Sequence, residues 1–238
     1  MVLLMASTAN TKARTALWVS IGLTVTLYWL PLGSTLAYPL VLLSTLAHEL
    51  GHGIAAMLVG NDFDAFVLYS DGSGAAMTSG NPGRLASAFI SAGGLVGPAI
   101  AAAGCFWAGR RGKIARPALV VFGALLVLAM VMVIRNVFGW FFVGSVATIC
   151  IWSGLKAEKD TCQVLVLFVG VQLALSVFSR SDYLFTNTAQ TAMGTQYSDV
   201  AHMANALFLP YWFWGIVCGA FSVLVLIWGV RGFLDATR

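Results

Sequence analysis

Charge is what this sequence has least of. Lys, Arg, Asp and Glu make up 9% of its 238 residues, where soluble globular domains carry about 25%. That excludes a solvated single-domain protein and leaves no stretch polar enough to form a separate soluble domain. The four cysteines (Cys105, Cys150, Cys162, Cys218) are scattered singly, without a CxxC pair, so neither a disulfide framework nor a cysteine zinc site is expected. There is no internal repeat and no low-complexity tract. The formal net charge is only +4 and the cations fall between apolar stretches, which suits lipid headgroups and excludes a nucleic-acid partner.

What is abundant is apolar surface, at 59% of residues. A bilayer crossing takes about 20 mostly apolar residues. Seven segments approach that length: 16–32, 38–60, 85–108, 117–134, 137–155, 162–185 and 207–230. Lys12 and Arg14 ahead of the first segment imitate a signal peptide. A second hydrophobic segment follows within a few residues, so the first reads as a retained helix. The expected fold is an all-α polytopic membrane protein of about seven transmembrane helices, forming one domain over 1–238. Its expected setting is a bacterial plasma membrane.

Two connections are more than turns. Phe63 to Tyr69, Asp71-Gly72-Ser73-Gly74 and Ala75 to Thr78 read as two short strands around a Gly-rich turn, a β-hairpin at the membrane edge after the second span. Residues 186–206 begin polar. Ser198 or Asp199 then caps a short amphipathic helix. Counting crossings places 61–84, 186–206 and the N-terminus on one membrane face. The other face then holds eight cations against five, and the positive-inside rule makes it cytoplasmic.

The chemistry concentrates in His48-Glu49-Leu50-Gly51-His52. The chain has three His and two Glu, and this pentapeptide holds two of the former and one of the latter. Within a helix, positions i and i+4 share a face, so both imidazoles can reach one metal ion. Glu49 beside them is placed to act as a general base. Ionisable groups inside a span are costly and are kept for function or pairing. A catalytic zinc site takes three protein ligands, so one more must come from elsewhere. Asp182, Asp199 and His202 lie on the expected face. Asp182 is favoured, as a helix-borne carboxylate near the interface. Asp199 is the alternative, with helix capping as its competing role. His202 reads as an interfacial residue.

At Ala47-His48-Glu49-Leu50-Gly51-His52-Gly53 the chain resembles the site-2-protease class of intramembrane metalloproteases, in its M50B-like branch. The likeness continues through the Gly-rich strand-like stretch and Ser91-Ala92-Gly93-Gly94-Leu95-Val96-Gly97-Pro98. It returns at Ser176 to Leu184 and at Ser198-Asp199-Val200, covering about 40–230. The resemblance implies Zn2+, an Asp third ligand, and cleavage of a membrane protein substrate segment in or near the lipid bilayer. In many members that Asp stands in an Asp-Gly pair, and neither Asp182 nor Asp199 is followed by Gly. A catalytically silent relative acting as a binding scaffold is the alternative, and retention of Glu49 with both His argues against it. Gly93 and Gly97 form a small-xxx-small pattern for helix packing. The 63–78 hairpin offers an edge for strand addition, and Tyr211 to Trp214 reads as an interfacial aromatic belt.

Overall fold

The computed structural model describes residues 2–30, 33–179, 184–191 and 194–238. Its elements, in chain order, are α1 (Val2–Trp29), α2 (Gly33–Leu58), β1 (Asp62–Leu68), β2 (Gly74–Ser79), α3 (Arg84–Gly109), α4 (Gly112–Met132) and α5 (Val137–Lys156). They continue with α6 (Lys159–Ser179), β3 (Thr188–Thr191), β4 (Gly194–Tyr197), α7 (Asp199–Leu207) and α8 (Tyr211–Ala236). Among the described residues, seven helices reach 20 residues or more, as the apolar segments predict. Six of them, α2 to α6 and α8, are both long and apolar enough to cross a membrane. In α1, Lys12 and Arg14 dilute the apolar run.

Large apolar side chains stay exposed around the bundle, among them Leu125, Leu128, Trp152 and Leu224. In water that surface would be costly. Against acyl chains it is the ordinary exterior. With burial no longer selecting which helix faces meet, close backbone approach does so, and small residues mark the contacts. The α2–α3 crossing shows this. A Cβ on Gly93 would come within 2.6 Å of the Gly51 carbonyl oxygen, and one on Gly97 within 2.9 Å of the Ala47 carbonyl oxygen. The small-residue pattern of the third span is thus spent on seating α3 antiparallel against the helix that carries His48 and His52.

The expected hairpin is present. β1 and β2 pair antiparallel, with Phe66 opposite Ala76 and Leu68 opposite Gly74. It lies lengthwise along α2 instead of resting at the membrane edge. Gly53 meets the Phe63 ring, Thr45 Oγ donates to the Gly72 carbonyl at 2.6 Å, and Tyr38 Oη donates to the Ser70 carbonyl at 2.7 Å. In its turn, the hydroxyl and amide of Ser73 both donate to Asp71 Oδ1, which holds that carboxyl below its usual range. The short break at Arg135 separates α4 from α5, and Phe66 forms a parallel bridge with Ile134 there.

Two expectations need correction. Residues 186–197 do not merely lead into α7, because they contain a second hairpin, β3–β4. The N-terminal end of α1 also lies at the opposite end of the bundle from both hairpins. Lys12 Nζ bonds Asp160 Oδ2 at 2.7 Å, at the start of α6, and Asn10 Nδ2 donates to the Arg238 carbonyl at 2.5 Å. Crossing parity assumed that every connection reverses the chain. The α1–α6 contacts, Ser20 Oγ to the Val164 carbonyl and Gln172 Nε2 to Thr24 Oγ1, show α1 running in the same direction as α6.

Candidate metal centre

One helical turn separates His48 from His52, and α2 presents both rings to the same point. Their Nε2 atoms are 3.1 Å apart. Asp199, the first residue of α7, completes the group: Oδ2 lies 3.1 Å from His48 Nε2 and Oδ1 lies 3.3 Å from His52 Nε2. These are the described His, Cys, Asp and Glu residues that come together tightly enough to hold a metal ion. The spacing fits one. Tetrahedral ligands at about 2.0–2.2 Å from zinc sit roughly 3.3–3.6 Å from one another, a few tenths of an ångström wider than these separations.

Proton placement supports the same fit. His52 Nδ1 faces the Ile90 carbonyl oxygen at 2.8 Å. A carbonyl only accepts, so Nδ1 carries the proton and Nε2 presents its lone pair to His48 and Asp199. A metal-binding imidazole is expected to donate its other ring N–H to a carbonyl or carboxylate in this way. Asp199 Oδ2 is buried without a well-aligned hydrogen bond, which is expensive unless a cation neutralises it.

Local structure holds the members of the cluster. On the α3 side, Gly94 is required: a Cβ there would collide with the His52 imidazole. On the α7 side, Ser198 is the N-cap and its Oγ accepts from the Ala201 amide at 3.2 Å. The same hydroxyl donates to the Thr186 carbonyl at 2.6 Å, and the Ser198 amide donates to the Asn187 carbonyl. At the far end of α7, Arg84 Nε donates to the Ala206 carbonyl at 2.7 Å and its guanidinium sits 3.5 Å over the Phe208 ring. Phe208 takes φ 64° there, a left-handed helix terminus held by this stacking.

Glu49 is 7% exposed. Its Oε2 accepts from the Ala76 amide of β2 at 2.7 Å. A cavity of about 430 Å³ opens onto Glu49 and His48 between the Asp71–Gly74 turn and the β3–β4 hairpin, with Ser176 of α6 and Ser222 of α8 in its wall.

Residues 18–229 match the family model of the Peptidase M50B-like proteins. The chain belongs to that family. With its six apolar helices, this M50B-like chain is an integral membrane protein. No curated protein and no solved structure matches it.

Of the sequence candidates, His48, His52 and Asp199 converge, with Glu49 beside them. His202 is exposed and meets the Tyr197 ring edge-on at 6.0 Å, away from the cluster. Asp182 lies outside the described residues. Sequence reasoning did not single out the Ile90 carbonyl, the Ala76 amide or Gly94's contact with His52. The paired glycines of Gly93-Gly94, more than helix packing alone requires, were the available signal for the last.

Proposed function

We propose that this M50B-like protein is a zinc endopeptidase cleaving transmembrane or membrane-tethered protein segments, with His48, His52 and Asp199 as metal ligands and Glu49 as general base. The observation that carries this reading is the convergence of His48, His52 and Asp199, whose ring nitrogens and carboxylate oxygens stand 3.1–3.3 Å from one another, beside a cavity that His48 and Glu49 line.

Zinc bound there supplies Lewis acidity, acidifying the attacking water and polarising the scissile carbonyl. The chain's own residues do the rest. The Ala76 amide fixes one oxygen of the Glu49 carboxylate, leaving the carboxylate turned toward the cavity. Glu49 takes a proton as the water oxygen bonds to the carbonyl carbon. It returns that proton to the nitrogen as the C–N bond breaks. The Ile90 carbonyl keeps His52 in the ligating tautomer, and Glu49 faces the cavity from which water reaches it.

A helical substrate hides its peptide bonds, so the segment must enter extended. The Ala76 N–H points away from β1, so the outer edge of β2 faces α2 and the site. That supports reading β2 as the edge along which an extended substrate lies. Moving Lys12 and Arg14 to the end opposite the hairpins shifts the cation balance from eight-to-five to ten-to-three. This favours a cytoplasmic placement of that end and an opening of the cavity toward the other side.

The test is to purify wild type, Glu49→Gln, Asp199→Ala and Asp182→Ala in detergent and to measure bound zinc per chain and cleavage of a model transmembrane peptide. Near-stoichiometric zinc is expected in wild type, Glu49→Gln and Asp182→Ala, with none in Asp199→Ala and cleavage lost in Glu49→Gln. Wild type that holds no zinc after reconstitution overturns the reading, as does cleavage that survives Glu49→Gln.

A further inference from the structure

The outer edge of β1 is closed by a segment the reaction does not use. Phe66 and Leu68 are fully buried, and their backbone groups turned away from β2 have no water to bind. An unpaired N–H or C=O in such a setting costs several kcal/mol. The α4–α5 turn supplies the partners. The Phe66 amide donates to the Val133 carbonyl at 2.7 Å, and the Arg135 amide donates to the Phe66 carbonyl at 3.1 Å. At Leu68 the turn has already entered α5, whose N-cap is Asn136, and a side chain takes over. The Leu68 amide donates to Asn136 Oδ1 at 3.2 Å, and Asn136 Nδ2 donates to the Leu68 carbonyl at 2.6 Å. One carboxamide thus stands in for the next residue of a third strand.

This clasp is itself held. Gly139 leaves room for the carboxamide, since a Cβ there would come within 2.6 Å of Asn136 Oδ1. Trp140 Nε1 donates to the Ile134 carbonyl at 3.1 Å, and the Arg135 guanidinium folds back onto the Met132 carbonyl.

The register gives the clasp its consequence. Phe66, both of whose outward groups the turn binds, is the residue opposite Ala76. Ala76 is the residue whose amide holds Glu49. Resting on the reading of Glu49 as general base, we propose that Asn136 is a positioning residue for Glu49, acting through the β1–β2 hairpin. Thr45 and Tyr38 tie the turn of the hairpin to α2, and Asn136 fixes its outer strand from the other side, and so where the Ala76 amide presents itself to the carboxylate. No other amide–carboxylate bond between hairpin and metal helix is present among the described residues, so a displaced hairpin leaves the base without its guide while the metal ligands on α2 and α7 stay in place.

The variants are Asn136→Leu, which removes both bonds, and Asn136→Asp, which keeps the acceptor and loses the donor. In Asn136→Leu, zinc per chain is expected to match wild type. Cleavage is expected to lose about tenfold or more in kcat with KM changed less than about twofold, the pattern of a contact that matters to the reacting step and not to binding. Asn136→Asp should fall between. A second measurement needs no turnover. Deuterium uptake of the peptide holding Ala76 is compared in wild type, Glu49→Ala, Asn136→Leu and the double variant. Glu49→Ala should speed exchange in the wild-type background and change nothing further in the Asn136→Leu background. Additive effects overturn the proposal, as does unchanged uptake in Asn136→Leu. Loss of zinc in Asn136→Leu reassigns Asn136 to general folding and also overturns it. Wild type that holds zinc yet fails to cleave counts against the protease reading alone, and the exchange cycle still decides the role of Asn136.

Discussion

The His52 imidazole occupies the space that a Cβ on Gly94 would fill. Gly94→Ala should therefore push the ring off the cluster. Misdirected ligands lower metal affinity by about 10–100-fold, and zinc competition should show a loss of that order. Gly104→Ala on the same helix is the control, because a Cβ there meets nothing within 4 Å. It should bind zinc as wild type does.

Ser198 closes three hydrogen bonds around the first residue of α7. Ser198→Ala removes an N-cap worth about 1 kcal/mol and frees Asp199 to wander. We expect roughly a fivefold to tenfold loss of zinc affinity, a penalty of that size expressed at the ligand. Ser198→Thr should restore most of it. Equal affinities in wild type and Ser198→Ala, by competition titration, would show that α7 needs no cap to present Asp199.

Metal removal should be visible in thermal stability without any substrate. A ligand at about 100 times its Kd stabilises the folded state by roughly 2.7 kcal/mol. A chelator should lower the melting temperature of wild type and Glu49→Gln, and zinc should restore it. In Asp199→Ala the chelator should have no effect.

Arg84→Gln breaks the bond to the Ala206 carbonyl and the stacking on Phe208. The site is near the surface, so the cost should be about 0.5–1.5 kcal/mol. Proteolysis or deuterium uptake should report it at the C-terminal end of α7. A change confined to the β3–β4 hairpin would contradict the assignment.

Local signals were the legible ones. The i, i+4 spacing of His48 and His52 contains its own geometry, because a helix brings those positions together whatever surrounds it. The apolar runs and the Asp71-Gly72-Ser73-Gly74 turn were legible for the same reason. The third member of the cluster was not, since the sequence offers both Asp182 and Asp199 near the end of a span or helix, and it is the packing of α7 on α3 that brings Asp199 to α2. The β3–β4 hairpin was hidden by its composition, since Thr188, Gln190, Thr191, Thr195 and Gln196 make up most of the two strands and leave no apolar period to read. Asn136 falls in the gap between the fourth and fifth apolar segments, and its bonds to Leu68 depend on the hairpin lying beside α2. The end of the bundle at which α1 begins was misread because Lys12 and Asp160 declare their pairing only in three dimensions.

The clasp also sets an order of assembly. Leu68 and Asn136 stand 68 residues apart, so the ribosome has made β1 long before its outer-edge partners exist. At about 5–20 residues per second that interval is roughly 3–14 seconds. During it, the outward backbone groups of Phe66 and Leu68 have only water to satisfy them. The outer edge of the hairpin is therefore complete only once α4 and the start of α5 are in place. A chain halted before Asn136 emerges carries both histidines yet lacks the bonds that close the outer edge of the hairpin.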